Sequence, residues 1–252
     1  MMDKTINKLS RLTSITAIFV LATANANDKQ PAPEWTEYWE PEPKAVSVDP
    51  IPSDAIVLLG DSGLEQWEHN DGTPAKWHYD NGVMTVNPGT KGIRSKQKFC
   101  DMQLHIEWRS PEVEDIDWKK GQHRGNSGIY IQGRYEIQIL DSYQNRTYSN
   151  GQAGAVYKQT PPLVNATKPP MQWQTYDIIY RAPRFKANGE IDQKAYVTVL
   201  HNGVLVQNHT QIQGATTYRG YPKYPAAHGC APIHLQDHGN PVSFKNIWVR
   251  PL

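Results

Sequence analysis

The chain has 252 residues, 26 Lys+Arg against 25 Asp+Glu, and a formal charge of +1. Hydrophobic residues at 38% and charged residues at 20% form an ordinary globular balance, which argues against a disordered polyelectrolyte and a lipid-embedded chain. The near-zero charge argues against nucleic-acid binding, which needs a basic face to displace counterions from phosphates. The 13 Tyr and 8 Trp beside only 4 Phe favour aromatics with a polar handle. Such rings offer a flat apolar face and a hydrogen bond together, as a wet, sugar-like ligand requires. They serve equally well as plain strand formers.

Lys4, Lys8 and Arg11 precede an apolar run from Leu12 to Ala22, followed by Ala24-Asn25-Ala26. This order of charged, apolar and small residues predicts a signal peptide over residues 1–26 and a secreted or periplasmic product. The run is shorter than the roughly 20 residues that span a bilayer, so no membrane insertion is expected once the leader is removed. An oxidising compartment would allow a disulfide between Cys100 and Cys230, but two separate buried thiols fit the sequence as well. Residues 27–53 carry Pro31, Pro33, Pro41, Pro43, Pro50 and Pro52 around Trp35, Tyr38 and Trp39. Proline fixes φ and removes backbone donors, so this stretch reads as an extended arm or linker.

From residue 54 onward short apolar runs alternate with turn signals. Strands are expected at Ala55–Leu59, Trp77–Tyr79, Val83–Val86, Gln103–Arg109, Ser127–Gln132 and Tyr135–Leu140. Further strands are expected at Ala153–Tyr157, Thr175–Arg181, Lys194–Leu200, Val204–Val206, Ala231–Gln236 and Val242–Val249. Asn81-Gly82 and Asn202-Gly203 mark tight hairpins, because both residues tolerate positive φ. No window keeps a helical apolar period over three turns. A single all-β domain over residues 54–252, a sandwich or jelly roll, follows.

Strand parity sorts the side chains by face. Leu104, Ile106 and Trp108 share one face and His105, Glu107 and Arg109 the other. Tyr135, Ile137 and Ile139 oppose Glu136 and Gln138, while Ile233 and Leu235 oppose His234, Gln236 and His238. Three strands thus carry acid, amide and imidazole groups on polar faces, which are either an ordinary solvated surface or parts of one concave site. His234 and His238 are about 13 Å apart on a straight strand and cannot share a metal ion there. Asp141, at odd spacing from Glu136, begins the next loop.

Gly125-Asn126-Ser127-Gly128-Ile129-Tyr130-Ile131 followed by Tyr135-Glu136-Ile137-Gln138-Ile139-Leu140-Asp141 resembles the signature of the 3-keto-disaccharide hydrolase domain family. Gly154-Ala155-Val156-Tyr157, the Asn202-Gly203 hairpin, and Pro232-Ile233-His234-Leu235-Gln236-Asp237-His238-Gly239 leading to Phe244-Lys245-Asn246-Ile247-Trp248 follow in the family's order. The resemblance implies a concanavalin A-like jelly-roll sandwich of two antiparallel sheets with a ligand groove, and action on glycosides oxidised at sugar C3. By position it implicates Glu107, Asn126, Glu136, Gln138, Asp141, Gln236 and His238, and Gln132 stands where relatives often have arginine.

The strand at Glu136 lacks the second carboxylate that retaining hydrolysis needs about 5–5.5 Å from the first. A C3 ketone needs only one base, since it acidifies the adjacent C2–H. Glu136 is the expected base, His238 the second candidate, and Asp141 a third catalytic group. Glu107, Arg109, Asn126, Tyr130, Gln138, Tyr157 and Gln236 are expected around the carbohydrate. Arg109, Gln138 or a bound divalent ion would hold the enolate oxygen, and no cofactor is otherwise required. The alternatives are a lectin-like carbohydrate-binding protein using Tyr130, Tyr143, Tyr157 or Trp118 as stacking rings, and an assembly domain whose arm docks a partner.

Overall fold

A computed structural model describes residues 37–113 and 120–252. The leader expected over residues 1–26, the first part of the arm and Trp118 lie outside the described residues. Residues up to Ala45 form one unit, of which residues 37–45 are described and carry no strand or helix, and Val46–Leu252 form a second. Among the described residues, all strands belong to the second unit.

In chain order these strands are β1 (Ile56–Leu59), β2 (Trp67–His69), β3 (His78–Asp80), β4 (Val83–Thr85) and β5 (Ile93–Phe99). Next come β6 (Met102–Arg109), β7 (Ser127–Ile131), β8 (Tyr135–Ile139), β9 (Gln174–Arg181) and β10 (Arg184–Phe185). The last are β11 (Ile191–Gln193), β12 (Tyr196–His201), β13 (Val204–Gln211), β14 (Ala231–Leu235) and β15 (Ser243–Pro251). Eight strands form one antiparallel sheet in the order β13-β12-β9-β6-β15-β4-β3, with β1 also paired to β15. Five form the facing sheet in the order β2-β5-β14-β7-β8, and β10 and β11 make a small separate ribbon. The expected concanavalin-like β-sandwich is the fold.

The core lies between the two sheets because each strand's alternate residues point there. Leu104, Ile106 and Trp108 of β6 are fully buried, as are Tyr176 and Ile178 of β9. They meet Ile129 and Ile131 of β7, Ile137 and Ile139 of β8, and Leu235 of β14. Two phenols tie the layers with hydrogen bonds that keep their oxygens satisfied inside the core. Tyr176 Oη donates to the Gln138 carbonyl at 2.8 Å, and Tyr180 Oη to Gln132 Oε1 at 3.0 Å. Gln132 thus has its amide engaged on both sides, by Tyr180 and by the Phe99 carbonyl at 3.1 Å, and does not stand in for a ligand-binding arginine.

Most expected strands form within a residue or two of their predicted ends. Ala153–Tyr157 is different, for it forms no strand of its own and pairs with the edge of β8 about a bridge between Ile137 and Val156. β5 was not expected because three successive exposed residues, Lys96, Gln97 and Lys98, break its apolar alternation. Cys100 and Cys230 are joined in a disulfide, their Cα atoms 4.5 Å apart. The pairing of β5 with β14, with Phe99 opposite Ala231, brings the two cysteines together across 130 residues.

Candidate functional site

The site lies on the outer face of the five-stranded sheet. Glu136 stands opposite Tyr130, Tyr130 opposite His234, and His234 opposite Arg94, so these side chains form one cross-strand row over β8, β7, β14 and β5. Gln138 stands opposite Gly128 in the adjacent row, and Gln236 joins it by donating its backbone N–H to the Gly128 carbonyl at 3.0 Å. Gly128 leaves the space into which the Glu136 side chain leans. A Cβ at that position would lie 2.5 Å from Glu136 Oε1.

Two loops close over the row. The segment after β8 folds back along its free edge, where Gln138 N–H donates to the Ala155 carbonyl at 3.0 Å and Tyr157 N–H to the Glu136 carbonyl at 3.1 Å. This pairing covers an otherwise open strand edge and sets Tyr157 beside Glu136. The loop between β13 and β14 supplies Thr216, whose hydroxyl accepts the Glu136 N–H at 3.0 Å, and Tyr218, whose carbonyl accepts from Lys158 Nζ at 2.8 Å. The resulting cavity, about 220 Å³, is lined by Asn126, Tyr130, Glu136, Gln138, Tyr157, Thr216, Tyr218, Gln236 and His238.

Within the cavity Glu136 is only 2% exposed and its Oε2 has no hydrogen-bond partner in the protein. Burial pushes its carboxyl up to about 7 from an ordinary 4.5, against a smaller downward pull from the Tyr130 hydroxyl. Tyr130 is pushed upward, first by its own burial and then by the neighbouring Glu136 charge. Gln236 Nε2 donates to Tyr130 Oη at 3.3 Å, while Gln236 Oε1 is buried without a partner. Asn126 Nδ2 donates to the Gln122 carbonyl at 2.7 Å. Tyr157 and Tyr148 share a hydroxyl hydrogen bond of 2.7 Å at the rim. Two unpartnered buried acceptors in one cavity suit a ligand that brings several donors, as a polyol does.

Seven of the ten residues expected from sequence come together here: Glu136, His238, Asn126, Tyr130, Gln138, Tyr157 and Gln236. The other three do not. Glu107 and Arg109 occupy the outer face of the eight-stranded sheet, on the far side of the sandwich. There Glu107 pairs with Lys245 at 3.3 Å and accepts from Asn246 Nδ2 at 2.9 Å, and the Arg109 guanidinium lies 4.8 Å from the Trp173 ring centre. Asp141 is fully buried and tied to Arg124 Nε at 2.7 Å and to Tyr143 N–H at 3.1 Å. Both its oxygens are thus occupied in holding the loop after β8, and it does not line the cavity. Tyr143 also stands outside the lining. Thr216 and Tyr218 were not foreseen, since a residue in a long loop carries no periodic signal of where it lands.

Among the described residues no cluster of three His, Cys, Asp or Glu side chains could hold a metal ion. Among the described residues no helix is long and apolar enough to cross a membrane.

Fold and cavity together define an antiparallel β-sandwich protein with a small polar site on its smaller sheet, built around one isolated carboxyl group. The chain belongs to the 3-keto-alpha-glucoside-1,2-lyase-like domain family, whose profile matches residues 54–250. It is 23% identical over 271 aligned residues to a 3-keto-disaccharide hydrolase of Bacteroides thetaiotaomicron, with 90% of each chain covered. A crystal structure of a Parabacteroides distasonis protein provisionally named a glycosyl hydrolase superposes with a TM-score of 0.83 at 47% identity, covering 88% of this chain and 97% of that one. A second structure from that organism, with the same provisional name, shares the fold at a TM-score of 0.54 and 19% identity, covering 75% of this chain and 89% of that one.

Proposed function

We propose that the protein cleaves 3-keto-glycosides, disaccharides among them, by elimination across C1 and C2 followed by addition of water. The supporting observation is the buried, isolated Glu136, poised near neutrality in a cavity with unpartnered acceptors. A base with a carboxyl near 7 is well matched to removing a proton made acidic by an adjacent ketone. The names of the family and of the Bacteroides relative point to the same substrate class.

In this scheme Glu136 takes the C2 proton and the electron pair moves into an enolate on the C3 oxygen. The enolate collapses, the C1–O bond breaks, and the leaving sugar or aglycone departs as an alcohol after gaining a proton at its oxygen. His238, at the exposed mouth of the cavity, is the group proposed to deliver that proton. Water then adds to C1 of the enone with its proton passing to His238, and C2 is reprotonated by Glu136, which returns both groups to their starting states. The enolate oxygen would be held by neutral donors from Gln138, Asn126 and Tyr157, because Arg109 is too far removed to serve.

Export of the mature chain is proposed on the basic and apolar pattern of residues 1–26 and is supported by the Cys100–Cys230 disulfide. The intact mass of protein recovered outside the cytoplasm tests it; a retained leader there would count against it. The reaction is tested by incubating purified protein with a 3-keto-glycoside and following aglycone release. Glu136→Gln should lower turnover by at least about 100-fold. Full turnover in that variant would sink the assignment of the base, and glycan binding without release would point to a lectin-like protein instead.

A further inference from the structure

The cavity around Glu136, about 220 Å³, is smaller than the roughly 300–1,000 Å³ of a typical small-molecule site and is sized for one sugar ring rather than two. A glycoside brings a second part, and the fold supplies a second hollow beside the first. It measures about 450 Å³ and is lined in part by Pro111, His123, Arg124, Gly125, His238 and Asn240. His238 lines both hollows, and the turn Gly125-Asn126 gives one residue to each. The Asn240 side chain fixes this partition. Its Oδ1 accepts the Gly125 N–H at 3.1 Å and its Nδ2 donates to the His238 carbonyl at 3.2 Å. The wall of the second hollow holds a buried cation, Arg124, which is 8% exposed. Its Nε donates to Asp141 Oδ2 at 2.7 Å and its Nη2 to the Tyr143 carbonyl, while Nη1 has no partner among the described residues. Asp141 thus balances the charge, and a donor is left over for an acceptor inside the hollow.

We infer that the second hollow is the subsite for the leaving half of the substrate, and that this half is an uncharged sugar. The inference rests on the reading of Glu136 as the base and of His238 as the proton donor to the leaving oxygen. With the keto ring over Glu136, the glycosidic oxygen must come within reach of His238, and whatever that oxygen carries must continue past the imidazole. The hollow that shares His238 with the cavity is where it continues. Its lining has the two surfaces a sugar needs. Pro111 and Pro241 offer apolar contact to C–H groups, and Arg124 and His123 offer hydrogen bonds to hydroxyls. The His123 ring is exposed and makes no hydrogen bond among the described residues. Charges of both signs are present, Glu112 at the rim and Arg124 already balanced by Asp141, so the hollow does not select a charged ligand. Arg124 and His123 are therefore specificity-determining residues for the leaving sugar, separate from the groups that act on C2.

The test is calorimetric binding to the Glu136→Gln protein, in which slow turnover lets a keto-glycoside be titrated as an intact ligand. Three ligands share the keto ring and differ beyond the glycosidic oxygen: methyl 3-keto-glucoside, phenyl 3-keto-glucoside and a 3-keto-glucosyl-glucose disaccharide. The disaccharide should bind at least about tenfold more tightly than the methyl glycoside. Arg124→Lys keeps a cation for Asp141 but loses the Nη1 donor, and should cut that advantage to about threefold or less. His123→Ala, which removes an exposed ring that holds nothing in the fold, should reduce it in the same direction. Equal binding of the disaccharide and the methyl glycoside overturns the subsite, as does an advantage that survives both substitutions. A phenyl glycoside that binds as tightly as the disaccharide overturns the sugar as its occupant. Equal binding in a protein that still cleaves both glycosides would remove the subsite and leave the reaction standing. A disaccharide preference in a protein inert toward all three would do the reverse, and binding of none of them overturns both.

Discussion

Glu136 is the residue on which the chemistry and the stability of this protein conflict. An acid whose folded pKa is raised keeps its proton in the folded chain over a range where the unfolded chain has lost it. Folding then takes up a proton, and stability falls as pH rises from about 4.5 through about 7, with the full penalty present above that range. A shift of this size corresponds to on the order of 3 kcal/mol. Glu136→Gln removes the ionisable group while keeping its volume. Urea denaturation at pH 5 and pH 8.5 should show the variant gaining on the unsubstituted protein at the higher pH by roughly 1–3 kcal/mol. Equal differences at both pH values would show that burial does not perturb this carboxyl. The activity of the unsubstituted protein should rise on its acidic limb through the same range, because the base must be ionised to accept the C2 proton.

At the scale of elements, the site depends on β7 and β8 lying in one register with glycine opposite Gln138. Gly128 is buried and faces the Glu136 carboxylate, which a Cβ would approach to 2.5 Å. Gly128→Ala should therefore leave the sandwich folded but displace Glu136, lowering turnover by about 10–100-fold and costing about 1–3 kcal/mol of stability. Circular dichroism with turnover on a 3-keto-glycoside checks this, and unchanged turnover would show that the Glu136 position is not critical. A control at Gly133, where a Cβ would meet nothing, is less clean because that residue has a φ of +64°. The looped segment at Ala153–Tyr157 belongs to the same logic: its bonds to β8 finish the sheet edge and place the Tyr157 ring in the cavity wall.

For the whole molecule, the site is assembled from segments far apart in sequence, and the disulfide is one of the ties. Cys230 ends the long loop that carries Thr216 and Tyr218, and Cys100 anchors it to the turn between β5 and β6. The same loop is held by Tyr135 Oη against His228 Nε2 at 2.8 Å and by Tyr224 Oη donating to the Ile212 carbonyl at 2.7 Å. Removing the cross-link with Cys100→Ser and Cys230→Ser together should cost about 2–4 kcal/mol. Thermal unfolding should then move down by about 5–12 °C. Because the hydrogen bonds remain, activity at low temperature should persist at a reduced level. An unchanged Tm would mean that the loop is secured without the disulfide.

The strand periods were legible in the amino-acid sequence because a period of two depends only on the residues of one strand. Parity alone assigned Leu104, Ile106 and Trp108 to the core, and Glu136 and Gln138 to the opposite face, and all five behave so. The family motif around Glu136 was equally local, which is why seven of the expected residues share one cavity. Parity cannot say which sheet a strand joins, since that is fixed by pairing with segments far along the chain, such as the 147 residues between Gln103 and Arg250. Glu107 and Arg109 have the right face of the wrong sheet for this reason. The roles of Asp141, Thr216 and Tyr218 were hidden by the same cause, for loops are placed by tertiary hydrogen bonds and carry no period of their own. The sequence by itself determined a two-layer β-sandwich and a carboxyl on an outward face. Only the tertiary structure decided that this face is covered, that the carboxyl is buried to a pKa near 7, and which amides surround it.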